Sequence, residues 1–175
     1  MQAVKCNRLG ADFYADDVLK VAPLLLGKKL VRVFPDGKIT EYIITETEAY
    51  RGEEDLACHA SKGRTSRTEI MYHEGGYVYV YLIYGMYWML NFVTGRKEEP
   101  QAVLIRGLKG LPGPGRITRQ LLIDRSFYGE DLRISARIFI CDHAEKVSYH
   151  KYTRIGVDYA GEIWKNKLWR FVLDW

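Results

Sequence analysis

The chain contains no apolar run near twenty residues and no positively charged start followed by a short apolar core. Neither a membrane-spanning helix nor a secretory leader is therefore expected, and the protein is expected inside the cell. Cysteine is scarce. Cys6, Cys58 and Cys141 are odd in number, far apart and without a Cys-x-x-Cys pair, which argues against a zinc or iron–sulfur framework and leads to the expectation of reduced, structural thiols. Histidine offers no metal site either, since no second ligand stands at metal spacing from His59. The His-x-Glu and Pro-Cys-x-x-Cys elements of zinc nucleobase deaminases are missing as well. No repeat, low-complexity tract, Pro/Ser-rich stretch or charge block divides the 175 residues, so residues 1–175 are expected to form a single domain.

What is present is ordinary in bulk and uneven in detail. A net charge of +4 is too small to name a partner. Its distribution says more. From Arg106 to Arg125 the basic residues Arg106, Lys109, Arg116, Arg119 and Arg125 face one acid, Asp124. A second cluster, Lys62, Arg64 and Arg67, has no acid among its immediate neighbours. Either run alone reads as a solvated face, whereas both together beside the motifs below point to a polyanion.

Asp16 and Asp17 precede Val18, Leu19, Ala22, Leu25 and Leu26, a helical spacing that predicts a capped helix over about 16–26 despite Pro23. Leu30–Phe34, the turn Pro35-Asp36-Gly37 and a strand from Ile39 predict a hairpin. Strict alternation along that second strand would put Glu46, Glu48 and Tyr50 on the face that begins with Tyr42 and Ile44. Tyr77–Tyr84 alternates aromatic with aliphatic residues, which predicts a strand with Tyr77, Tyr79 and Tyr81 on one face and Val78, Val80 and Leu82 on the other. Met86–Val93 reads as the return strand, leaving Tyr84-Gly85 as a tight turn. Gln101–Leu108, Arg137–Cys141 and Leu168–Leu173 read as further strands and Gly115–Ile123 as a helix, for a mixed sheet with a few helices.

Three features could carry chemistry. A large aromatic at a turn gains little from burial, so Tyr84 either serves as a wedge that fills the gap left by an extruded nucleotide or folds back on the sheet. Glu46 and Glu48 on a partly buried face either include a general base or mark a hydrated strand end. The glycines of Leu111-Pro-Gly-Pro-Gly-Arg116, set before a helix carrying Arg116 and Arg119, suit a phosphate. This segment also resembles the hairpin of helix-hairpin-helix glycosylases, a class that is helical where this chain is rich in strands.

Glu46-Thr-Glu-Ala-Tyr50, His59, Tyr79-Val-Tyr-Leu-Ile-Tyr-Gly-Met-Tyr87, Asn91 and Ala102-Val-Leu-Ile-Arg-Gly-Leu108 occur in an order that resembles the alkyladenine (methylpurine, 3-methyladenine) DNA glycosylase family. The likeness continues through Gly113-Pro-Gly-Arg116 to Arg154-Ile-Gly-Val-Asp-Tyr-Ala-Gly161 and covers roughly residues 9–173. It implies an α+β fold, a single domain with a curved, mixed but mostly antiparallel sheet, a few helices and a protruding β-hairpin. It also implies a monofunctional enzyme that needs no metal or cofactor, acts as a monomer on double-stranded DNA containing damaged purines, and works in the cytoplasm or nucleoid if prokaryotic. By position, Glu48 matches the general base that activates water. Tyr50 and Tyr81 match the aromatics that sandwich the flipped base, with His59 beside them. Tyr84 matches the intercalating residue, Asn91 the residue that disfavours the amino group of guanine, and Arg106 a ligand of the flipped nucleotide's phosphate. Arg64, Arg67 and Arg116 are candidate phosphate contacts.

The chain departs from the family at Ser66 and Thr68, where relatives often carry Pro and Asn, and at Trp88 and Leu90 in a variable stretch before Asn91. It starts close to the homologous region, as expected of a bacterial or archaeal chain or of a trimmed one. A noncatalytic damaged-DNA-binding module and a helix-hairpin-helix glycosylase are the competing readings.

Overall fold

A computed structural model describes residues 6–143 and 146–174. After a short helix α1 (Ala11–Tyr14), helix α2 (Val18–Leu24) begins where the Asp17 side chain accepts the Leu19 N–H at 2.9 Å. Its one-sided apolar set, Val18, Val21 and Ala22, is buried, which is why a seven-residue helix containing Pro23 holds at all. Strands β1 (Lys29–Val33) and β2 (Ile39–Arg51) form the expected hairpin around Pro35-Asp36-Gly37. β3 (Val78–Ile83), β4 (Tyr87–Val93) and β5 (Gln101–Leu108) follow, then the two-residue β6 (Leu111–Pro112) and helix α3 (Pro114–Gln120). The chain ends with β7 (Ile138–Cys141), β8 (Tyr149–Tyr152), helix α4 (Gly161–Lys165) and β9 (Arg170–Leu173).

These strands form one open sheet in a single α+β domain, ordered β3-β4-β5-β2-β1-β7, with β6 on β5 and β9 between β2 and β8. All the strand ladders among the described residues are antiparallel. The short helices and the dominant sheet overturn the helix-hairpin-helix alternative, which requires a helical body. Among the described residues no helix is long and apolar enough to cross a membrane.

β2 organises the molecule because it changes partners midway. Its first half pairs with β1, and its second half pairs with β5 on one side and β9 on the other. At the change the β2–β5 register runs from Ile44↔Leu108 to Glu46↔Gly107 to Thr47↔Ile105, skipping Thr45 on one strand and Arg106 on the other. Such a bulge shifts the side-chain alternation by one. Ile44 lies in the core with Ala49, and the Thr47 hydroxyl reaches the Ala22 carbonyl of α2 at 2.9 Å. Glu48 and Tyr50 consequently point to the opposite face from Ile44. The expectation that they continue the Ile44 face is corrected, because unbroken alternation cannot anticipate the bulge.

The two sheet faces are covered differently. α2 and α3 pack Val21, Leu25, Ile117 and Leu121 against Val78, Val80, Phe92, Val103 and Ile105. On the other face Tyr50, Tyr79 and Tyr81 meet Cys58, Ala60, Ile70, Met71 and Tyr72 from the segment between β2 and β3. The segregation of tyrosines from valines along β3 is as the alternation predicted.

The thiol expectation is corrected for two of three cysteines. Cys6 and Cys141 form a disulfide with Cα atoms 5.7 Å apart. The N-terminal segment lies along β7, with Leu9 N–H on the Ile140 carbonyl at 2.9 Å and Asp142 N–H on the Asn7 carbonyl at 2.7 Å, and this brings residues 135 apart in sequence side by side. Cys58 is free and buried, and burial pushes its thiol up to about 12.

Candidate active site

A cleft of about 710 Å³ opens on the tyrosine face of the sheet. Tyr50, His59, Tyr81, Tyr84, Asn91, Arg67 and Arg106 all line it, so seven positions predicted from sequence meet in one place. Glu48, Arg64 and Arg116 are not on the lining.

Glu48 sits beneath the cleft, with no exposed surface. Both carboxylate oxygens are engaged: the Tyr50 hydroxyl donates to Oε2 at 2.8 Å and the Ile155 N–H to Oε1 at 2.8 Å. Arg106 Nε lies 3.6 Å from the same Oε1. Burial raises the Glu48 carboxyl above its ordinary range, while Arg106, the Ile155 N–H and the Tyr50 hydroxyl pull it down and Glu46 pushes it up. The result is a carboxylate in a low-dielectric position with fixed donors, the setting in which a general base is effective.

Tyr50 is held from behind. The Arg154 guanidinium lies 4.9 Å from its ring centroid and forms a two-pronged, fully buried ion pair with Asp55 at 2.6 and 2.9 Å. Arg154 also donates to the carbonyls of Ala49 and Trp164 at 3.0 and 3.1 Å. The pair clamps the segment after β8 to the loop after β2 and so aims the Ile155 N–H at Glu48. Arg154 and Ile155 lie within the family-like string Arg154–Gly161, where residue type and spacing assign neither a task. A backbone donor acting on a side chain 107 residues away leaves no local signal.

The opposite wall is Tyr81, with His59 edge-on at 4.5 Å between ring centroids. His59 Nδ1 shares a 2.7 Å hydrogen bond with the Tyr79 hydroxyl. Burial, then the nearby Arg67 and Lys62, pull the imidazole down to about 4, so it is neutral at physiological pH. Arg67 lies 5.2 Å from the Tyr81 ring centroid at the rim. Asn91 is buried, and its amide donates to the carbonyls of Tyr79 and Met89 at 3.2 and 3.3 Å, which fixes its orientation at the cleft wall.

Tyr84 caps the β3–β4 hairpin and is 88% exposed, so it does not fold back on the sheet. The turn is one residue longer than expected: Met86 lies outside β4, and its N–H closes the turn on the Ile83 carbonyl at 3.0 Å. Tyr84 and Gly85 have φ of +53° and +67°, the paired left-handed residues of a primed turn, and a tyrosine there is uncommon. Leu82, Met86 and Tyr87 around it are exposed as well.

The basic residues divide. Arg116 is exposed on α3, whose Gly115 packs against the Tyr87 ring at the hairpin base. Arg64 pairs with Glu69 at 2.9 and 3.0 Å and with Glu98 at 2.8 Å, and it does not reach the cleft. Its cluster is thus not free of acids. Glu98 comes from the loop before β5, which a neighbour-based reading of Lys62–Arg67 could not include.

The chain that folds into this open antiparallel sheet matches the methylpurine-DNA glycosylase (MPG) family over residues 12–112 and 109–174, and it belongs to that family. It is a DNA glycosylase, a hydrolase of N-glycosyl bonds. Among its relatives, the Psychrobacter cryohalolentis protein "Putative 3-methyladenine DNA glycosylase" is 41% identical over 189 residues, covering 91% of this chain and 89% of the relative. Proteins of the same name from Natranaerobius thermophilus and Methanocella arvoryzae are 39% and 42% identical, covering 95% and 93% of this chain and 95% and 90% of the relatives.

Proposed function

We propose that the enzyme flips alkylated or deaminated purines of the 3-methyladenine, hypoxanthine and ethenoadenine class out of duplex DNA and hydrolyses their N-glycosidic bond with water activated by Glu48. The observation that carries this reading is the fully buried Glu48 carboxylate, fixed by Tyr50, Ile155 and Arg106 directly under an aromatic cleft. The name of the relatives makes 3-methyladenine the first candidate base.

The base stacks between Tyr50 and Tyr81. Arg154 backs the Tyr50 ring, which leaves the cleft side for stacking. A cationic alkylated purine gains a cation–π attraction there that normal adenine does not. The bond between C1′ and the base nitrogen breaks with its electron pair leaving on the base, so that a cationic alkylated purine departs neutral and a neutral purine such as hypoxanthine takes up a proton from solvent as it departs. Anionic Glu48 stabilises the oxocarbenium-like sugar and takes a proton from water as the water oxygen bonds to C1′. The product is an abasic site, with no covalent enzyme intermediate and no strand cleavage. Tyr84 fills the gap in the duplex, Arg106, Arg67 and Arg116 contact phosphates while Arg64 stays with Glu69 and Glu98, and Asn91 excludes the amino group of normal guanine.

Single-turnover excision of hypoxanthine from a duplex tests the reading. Glu48→Gln is expected to retain lesion binding and to lose roughly 10²- to 10⁴-fold in rate. Excision at the wild-type rate would remove Glu48 as the base, and a wild-type protein that binds the lesion but excises nothing would favour a noncatalytic recognition module.

A further inference from the structure

Glu46, the second carboxylate of the Glu46-Thr-Glu48 run, has no part in the reaction proposed above, yet its surroundings are built with care. Arg106 Nε lies 3.2 Å from Glu46 Oε1 and 3.6 Å from Glu48 Oε1. Arg170 NH1 donates to the same Glu46 oxygen at 3.0 Å, and its Nε is tied to the Thr153 carbonyl at 2.8 Å. The charges therefore alternate in the order Glu48, Arg106, Glu46, Arg170, with one guanidinium shared between two carboxylates.

The backbone makes this sharing possible. Arg106 is the residue skipped in the β2–β5 register, and Gly107 stands opposite Glu46. A Cβ on Gly107 would come within 2.9 Å of the Glu46 Cβ and 3.3 Å of its Oε2, so the absent side chain is what lets Glu46 lie over β5 beside Arg106.

We propose that Glu46 is a positioning residue of the reaction, competing with Glu48 for the Arg106 guanidinium and thereby setting how much positive charge the buried base feels; this rests on Glu48 being that base. A DNA phosphate that engages Arg106 is a third competitor for the same group. Glu48 is faced by Glu46 and Tyr50 from its own strand, Arg106 from β5, Arg170 from β9, Tyr81 from β3 and Arg154 from the segment after β8. Of these, Glu46 is the one that both repels Glu48 directly and draws Arg106 from it. Neutralising Glu46 removes the repulsion and returns Arg106 to Glu48, and both effects make Glu48 more acidic.

The test is the pH profile of single-turnover hypoxanthine excision, whose acid limb reports deprotonation of Glu48. Glu46→Gln is expected to move that limb to lower pH by at least about half a unit, and Glu46→Asp to restore it toward wild type. Arg170→Gln is expected to move it the opposite way, because Glu46 then holds Arg106 undivided. Unmoved limbs in both variants, with rates falling together, would make Glu46 merely structural and overturn the proposal. If circular dichroism shows that Glu46→Gln does not fold, Arg170→Gln decides alone, and an unmoved or lowered limb overturns it. Glu48→Gln, measured alongside, separates the two failures. A variant that still excises removes the base assignment and this inference with it, whereas an inactive one keeps Glu48 as the base, and the acid limbs alone then decide the role of Glu46.

Discussion

The floor of the cleft and the tip of the hairpin, both assigned to the same reaction, are held in opposite ways. Glu48, Asp55 and Arg154 at the floor have no exposed side-chain surface, and each makes two or more bonds to other chain segments. Tyr84 at the tip is 88% exposed and sits in a left-handed conformation with neighbours that are themselves exposed. The contrast fits the roles proposed for the two parts. Groups that act on a bond in the transition state work best fixed in advance in a water-poor site. A wedge meets its partner only in the complex and gains its contacts there.

The contrast breaks most severely if the floor loses one half of its buried ion pair. Arg154→Met leaves Asp55 buried without its cation and is expected to cost about 3–5 kcal/mol of stability in urea unfolding, with a loss of activity that tracks the unfolding of the Ile155 segment. A cost near zero would show that the clamp is not what holds the floor. A change at Glu48 sharpens the comparison in the other direction. Its carboxyl is raised by burial, so between the ordinary carboxylate range and that raised value the folded state holds a proton that the unfolded state has released, and stability falls as pH rises through this window. Glu48→Gln is therefore expected to be more thermostable than wild type at neutral pH, with the advantage shrinking as pH is lowered. An equal advantage at all pH values would rule out charge burial as the cause.

At the tip the order of effects reverses. Tyr84→Gly is expected to weaken binding to a lesion duplex by about 1–3 kcal/mol, while raising stability slightly because glycine tolerates the positive φ. Loss of stability instead would mean that the ring packs on the protein in solution. The smallest effects separate the two rim arginines. Arg67→Ala is expected to reduce the salt dependence of DNA binding by about one phosphate contact. Arg64→Ala is expected to leave both that slope and stability unchanged, because its guanidinium is already matched to Glu69 and Glu98 at the surface. Equal slopes for the two variants would erase the distinction.

Much of this arrangement is legible in the sequence. The alternation of tyrosine and valine through Val78–Ile83 places the aromatic wall, Tyr84-Gly85 marks the turn, and the one-sided apolar spacing after Asp17 predicts α2. Element ends shift by a few residues: α3 spans Pro114–Gln120 where the spacing predicts Gly115–Ile123. β8 leaves no such signal, since Tyr149–Tyr152 is exposed at all four positions and has no buried face to create a pattern. Between Glu46 and Glu48 spacing leaves no choice, and it is the resemblance to the family that proposes Glu48 as the base.

The sequence by itself determined most of the strands and turns, much of the composition of the cleft walls and the family, because these depend on residue type and periodicity along the chain. Only the tertiary structure decided which face Glu48 occupies, through a bulge at Thr45 and Arg106 that depends on how β2 meets β5. It also decided the partners of the charges: Arg154 on Asp55, Arg64 on Glu69 and Glu98, Arg106 shared between Glu46 and Glu48, and Cys6 bonded to Cys141. Local geometry repeats every two or three to four residues and can be read along the chain. Burial and ion pairing are set by segments that fold in from far along the chain, and so the environment of Glu48 exists only once Ile155 and Arg106 have arrived beside it.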